Sequence, residues 1–152
     1  MGTDNRKRVL VVDDDGEIRR LLSSTFRHYG LNVDVASGGE EALRLIGTNP
    51  YAVVVLDLVM PEVDGFAVLT RLRTMRMAYA PVIIVLTGAE DRIVGSLDAN
   101  IVHGIIRKPF DPQELGSIVV ACAEMRSRTP FETMALAAML AGPPIVAWLT
   151  KL

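Results

Sequence analysis

The chain has 152 residues, half of them apolar and 22% charged, with a formal net charge of −2. That is enough for one domain with one good core; it excludes a disordered chain and gives no electrostatic case for binding nucleic acid directly. A single cysteine, Cys122, excludes an internal disulfide framework and fits a reducing compartment.

The N-terminus, MGTDNRKRVLVVDDDGE, meets acids after only four apolar residues, Val9 to Val12. That is too short for a signal-peptide core, so a cytoplasmic location is expected. Arg8 to Val12 reads as a buried strand. From Gly16 to Tyr29, the residues Ile18, Leu21, Leu22, Thr25, Phe26 and Tyr29 fall on one helix face, and Gly30 is placed to end it. Leu31 to Ala36 alternates, with Leu31, Val33 and Val35 on one side, as in an edge strand. Ser37 with Glu40 three residues on predicts a capping box for a helix through Ile46.

Ala52 to Leu56 is a β-branched run suited to a central parallel strand. Val68, Leu69, Leu72 and Met75 mark a third helix. PVIIVLT, from Pro81, is another central strand. Ile93, Val94 and Leu97 mark a weak fourth helix, interrupted by Gly95. Ile101 to Ile106 predicts a fifth strand. Asp111-Pro112-Gln113-Glu114 is a strong helix start, with Leu115, Ile118, Val119 and Cys122 as the buried face. Five strands alternating with five helices predict an α/β fold, a doubly wound parallel sheet covered on both faces.

The out-of-pattern polar residues then gather on one rim. Asp13, Asp14 and Asp15 close the first strand, Asp57 the third and Thr87 the fourth, and Lys108 follows the fifth. All sit at carboxyl ends of strands, the edge where open α/β sheets bind ligands. A cluster of carboxylates repels itself unless a cation joins it, and hard oxygens with room for water suit Mg²⁺. A carboxylate beside Mg²⁺, a lysine and a hydroxyl can act as a nucleophile toward phosphorus, giving an aspartyl-phosphate. Asp57 is the acid set in the long apolar run. Asp15 reads instead as a helix N-terminal acid, and His28 and His103 as a solvated position and a loop or strand filler.

The stretches VLVVDDDGEIR, VVVLDLVMPEVDGF, VIIVLTGAED and IIRKPF resemble, in order, the four signatures of the bacterial two-component response-regulator receiver domain, over about Arg6 to Arg126. The resemblance implies a flavodoxin-like sheet in strand order 2-1-3-4-5. It implies Asp57 as phosphoacceptor, Asp14 as direct Mg²⁺ ligand, Asp13 as its water-mediated partner and the Val59 carbonyl as a further ligand. Thr87 would be the switch hydroxyl, and Lys108, before a cis bond to Pro109, the phosphoryl contact. Pro61 and Gly65 would shape the loop after Asp57. The implied partners are a sensor histidine kinase or phosphotransfer protein and a downstream protein. The chain would be a phosphoacceptor that assists its own phosphorylation and dephosphorylation, not an enzyme acting on other substrates.

Three departures stand out. Ile105 occupies the switch position where the family usually carries tyrosine or phenylalanine. The stretch from Thr87 to Lys108 is slightly short, so the surface of the fourth helix and fifth strand is expected to be unusual. Val59 and Ala89, which tune phosphate lifetime, cannot hydrogen-bond a water, which predicts slow self-dephosphorylation. The alternative function is a phosphate-independent binding module on the same fold. An aspartate-nucleophile phosphohydrolase needs a second acid where Val59 stands, and no P-loop is present.

The domain reading is a receiver at 1–128 and an apolar extension at 129–152. Residues 133–150 carry no charge, and Pro143-Pro144 would break a membrane helix near their middle. A docking or homo-oligomer-forming segment is the first expectation; a membrane-associated segment and a truncated linker are the alternatives.

Overall fold

The computed structural model describes residues 7–77, 80–88 and 91–127. Along them run β1 (Arg8–Val12), α1 (Gly16–His28), β2 (Asn32–Ala36), α2 (Gly39–Thr48), β3 (Val53–Asp57), α3 (Gly65–Thr74), β4 (Val82–Thr87), α4 (Asp91–Val94), β5 (Gly104–Arg107) and α5 (Pro112–Ser127). Four helices have ten to sixteen residues, while α4 is a single turn of four, as its broken pattern predicted. The sheet is parallel throughout, in the order β2-β1-β3-β4-β5. The extension 129–152 lies outside the described residues, as does Ala89. Among the described residues no helix is long and apolar enough to cross a membrane.

The valine-rich strands are buried on both faces and alternate between two apolar layers. Val9, Val11, Val53 and Val55 pack with Leu22 and Phe26 of α1 and with Leu115 and Val119 of α5. Leu10, Val54, Leu56 and Val85 pack with Ala42 and Ile46 of α2 and with Val68 and Leu72 of α3. Each fully buried side chain of this size contributes about 1.5–3 kcal/mol. Cys122 belongs to the first layer, and burial pushes its thiol up to about 11.

Several local expectations need correction. Leu21, read as part of the buried stripe of α1, is 46% exposed, whereas Ser23 is buried. The buried arc is centred on Leu22 and Phe26 and reaches Ser23 and Thr25. Val35 is also exposed, near the end of an edge strand with a neighbour on one side only.

The α2 cap is Gly38, not Ser37. Ser37 donates its N–H and hydroxyl to Glu41, at 3.1 and 3.2 Å, so the reciprocal carboxylate comes from Glu41 rather than Glu40. By contrast, α5 starts as predicted, with Asp111 Oδ1 accepting from the Gln113 N–H at 2.8 Å.

β5 begins at Gly104, three residues later than the apolar run predicts. The Asp98 carbonyl takes the N–H groups of Ile101 and Val102, at 3.0 and 2.9 Å, which turns that segment away from the ladder. His103 then makes the first link to β4 twice over. Its N–H donates to the Ile83 carbonyl at 2.8 Å, and its Nδ1 accepts from the Ile83 N–H at 3.0 Å. Here a side chain stands in for a strand carbonyl.

That bond requires a neutral Nδ1. Burial, then the charge of Arg126, lower the His103 pKa, against an opposing hydrogen bond with the Ile101 backbone. A base with a depressed folded pKa contributes stability that is present above its unfolded value, near 6.5, and is lost as pH falls through the folded value. The His103→Gln variant keeps an acceptor but cannot titrate. Denaturant melts should show it within about 1 kcal/mol of the parent at neutral pH. Below pH 6.5 its stability should fall less steeply than the parent's, and parallel curves would contradict the role given to this imidazole.

Candidate functional site

The strand order reverses at β1, which has β2 on one side and β3 on the other. Val12 is in register with Leu56, so Asp13 and Asp57 leave the sheet side by side at its carboxyl edge. Both are buried, at 1% and 4% exposure, while Asp14 beside them is open to solvent. One carboxylate oxygen from each of the three lies within 4.8 Å of the others, a grouping that could hold a metal ion. The predicted rim therefore assembles around these three acids.

The buried carboxylates have partners at all four oxygens. Lys108 Nζ stands 3.1 Å from Asp13 Oδ2 and 3.3 Å from Asp57 Oδ2. Asp13 Oδ1 accepts from the Asp15 N–H at 2.9 Å, and Asp57 Oδ1 accepts from the Val59 N–H at 3.2 Å. Three acids against one ammonium leave two negative charges unmatched. Burial and then the neighbouring Asp13 raise the Asp57 pKa, outweighing the Val59 N–H and Lys108 that hold it down. For Lys108, burial opposes the charged form, but Asp13 and Asp57 together outweigh it and the pKa is raised. The ammonium stays charged, and the arrangement remains short of positive charge.

Lys108 is set by its backbone. Its N–H donates to the Thr87 carbonyl at 2.9 Å, and its bond to Pro109 is cis. Thr87 itself is fully buried at the end of β4. Ile105 pairs with Val85 in the ladder and is half-buried against the α2–α3 layer. Val59 points outward at 65% exposure, and Met60 is buried, as packing requires.

Gly65 is required where it stands. Its N–H donates to the Leu58 carbonyl at 3.0 Å, and an added Cβ would fall on the Asp57 carbonyl oxygen. The loop from Leu58 to Asp64 is thereby pulled tight beneath Asp57, and Asp64 caps α3 by accepting from the Ala67 N–H at 2.9 Å.

Asp15 is the N-cap of α1, accepting from the Glu17 N–H at 2.8 Å, as read from the sequence. His28 is exposed on α1. One contact was not legible. Arg19 donates from its guanidinium to the Asp13 carbonyl at 2.7 Å, across the corner between β1 and α1. A six-residue spacing over a strand, a cap and a helical turn has no periodic signature.

Residues 9–120 match the response regulator receiver domain family. Over 133 residues the chain is 34% identical to a probable transcriptional regulator, ycf27, of Guillardia theta, covering 86% of this chain and 50% of the relative. Over 125 residues it is 35% identical to the transcriptional regulatory protein SrrA of Staphylococcus aureus, covering 82% and 51%. The chain thus spans about half the length of the curated relatives it matches. Among solved structures, the receiver domain of the Francisella response regulator 1452 superposes with a TM-score of 0.70 at 32% identity, over 80% of this chain and 99% of that one. This chain belongs to the response regulator receiver domain family of two-component systems.

Proposed function

We propose that Asp57 accepts a phosphoryl group from a histidine kinase or phosphotransfer protein, with Mg²⁺ bound at the acidic rim, and that the change alters contacts with a downstream protein. The observation that carries this reading is the Lys108 ammonium held between Asp13 and Asp57 at 3.1 and 3.3 Å. The donor set is all hard oxygen with two unmatched negative charges, which fits Mg²⁺. Asp14 and Asp57, with the Val59 carbonyl, would hold the ion directly and Asp13 through water; bound there, it would neutralise charge on the phosphoryl oxygens.

The chain's own groups do the rest. One Asp57 oxygen forms an O–P bond as the donor's P–N bond to histidine breaks, and the leaving imidazole takes up a proton. Asp57 Oδ1 is oriented by the Val59 N–H, and Lys108 can follow a phosphoryl oxygen as a point charge. Thr87, carried on β4 beside the Lys108 backbone, supplies the hydroxyl that moves to the new group. In this reading residues 1–128 are the receiver, residues 129–152 a separate apolar extension, and the product is a signalling state rather than a released metabolite.

Ile105 favours a second reading, a receiver fold that binds partners without phosphate. A half-buried isoleucine cannot make the ring rotation expected at that position. Intact-mass detection after exposure to a small acyl phosphate separates the two. The phosphorylation reading expects a Mg²⁺-dependent adduct that disappears in Asp57→Ala and falls at least tenfold in rate in Lys108→Ala. No adduct under any condition favours the phosphate-independent module.

Slow self-dephosphorylation follows from the apolar, exposed Val59 beside the acceptor. Val59→Asn should shorten the adduct's half-life several-fold in a phosphatase-free decay assay. A rapid decay in the parent that Val59→Asn leaves unchanged would contradict this.

A further inference from the structure

On the sheet face away from α1 and α5, helices α2 and α3 leave an open groove of about 1000 Å³. Its lining is apolar at Leu43, Val63, Ala67 and Met75. Charge is graded along it: Glu40 and Glu41 stand in the first turn of α2, and Arg44 and Arg71 lie further along the two helices. A smaller hollow of about 250 Å³ lies at the other ends of the same helices, lined by Ile46, Asn49, Tyr51, Arg76, Met77 and Pro81. Met75 lines the first and Arg76 the second, so the two adjoin as a track that is acidic at its head and carries Arg76 at its foot, with Arg44 and Arg71 between.

We infer that this track is the docking site of the chain's own residues 129–152. Three observations converge on that occupant. The first is reach. α5 ends at Ser127 near the foot of β5, where the charge of Arg126 acts on His103 and His103 bonds Ile83, two residues after Pro81. From β5 across β4 to the start of β3 is about 10 Å, two strand spacings, and passing under the sheet to its other face adds about 10 Å at right angles, about 14 Å in all. The five residues from Ser127 to Glu132 span up to about 17 Å when extended.

The second observation is charge order. Between Thr129 and Leu152 the sequence has two charged residues, Glu132 near the beginning and Lys151 near the end. A segment entering at the foot brings Glu132 to Arg76 and Arg71, and carries Lys151 toward Glu40 and Glu41. The third is apolar match. Eighteen uncharged residues, with Met134, Leu136, Met139 and Trp148 among them, need a covering surface, and Leu43, Val63, Ala67 and Met75 offer an apolar strip between the charged residues of the groove. Tethering so close gives the segment an effective concentration in the millimolar range against its own domain, which favours it over a second copy.

The groove is joined to the rim. The Gly39 N–H donates to the Val63 carbonyl at 3.1 Å, and a Cβ on Gly39 would collide with that carbonyl. Val63 belongs to the loop that Gly65 holds beneath Asp57. The docking itself does not depend on phosphorylation.

Trp148 is the chain's one tryptophan, so its fluorescence reports the segment without labelling. In the full chain the inference expects an indole shielded from acrylamide, unchanged over a hundredfold dilution. Ala67→Arg, on the groove floor, and Arg71→Glu should each shift emission to longer wavelength and raise quenching several-fold, with the thermal melt of the fold retained. Combining Arg71→Glu with Glu132→Arg should restore the shielding. An exposed indole in the parent would overturn the inference. So would shielding that both single variants leave intact, since the segment would then dock elsewhere. Shielding lost on dilution would assign the groove to a second copy and equally overturn it.

Discussion

Two carboxylates are forced side by side by the sheet, and one ammonium makes their burial tolerable. With β1 between β2 and β3, the residues that follow Val12 and Leu56 must emerge together, so Asp13 and Asp57 repel across a short gap. An isolated buried charge is costly, and a like-charged pair more so. Lys108 touches both, and two backbone N–H groups take the remaining oxygens. The balance is still unfavourable, because the Asp57 pKa remains raised. That residual cost is what a divalent cation would relieve, so the structural cost and the fit to a cation have one origin.

The rest of the fold is arranged around keeping that ammonium in place. Lys108 reaches the acids only if β5 is in register with β4, which the Thr87 carbonyl secures at one end and the His103 imidazole at the other. Gly65 brings α3 against the strand end, so the loop after Asp57 has little slack. Arg19 fastens the Asp13 carbonyl from the helix side. Three elements far apart in sequence thus fix one nitrogen against two oxygens.

The site was legible because its geometry follows from strand ends. Valine runs mark where β1 and β3 stop, and an acid immediately after each run can only lie on the rim. Legibility failed where glycine or a side chain took over a backbone role. Ser37 and Glu40 have the spacing of a capping box, yet Gly39 must be the first helical residue to approach Val63, which moves the cap to Gly38 and the carboxylate to Glu41. The run from Ile101 to Ile106 reads as one strand, but the Asp98 carbonyl captures its first two N–H groups. Arg19 carries no pattern at all. Local periodicity could not report these contacts, because each joins segments whose proximity exists only after folding.

The most direct test is a carboxyl-carbon NMR titration of Asp57 in the full chain, with and without Mg²⁺. Without the ion, Asp57 should titrate above the ordinary carboxylate value, since burial and Asp13 outweigh Lys108 and the Val59 N–H. With Mg²⁺ the midpoint should move down, and Asp14→Asn should weaken that response. A midpoint at or below the ordinary value, indifferent to Mg²⁺, would contradict the account of Asp57 as a strained acid awaiting a cation.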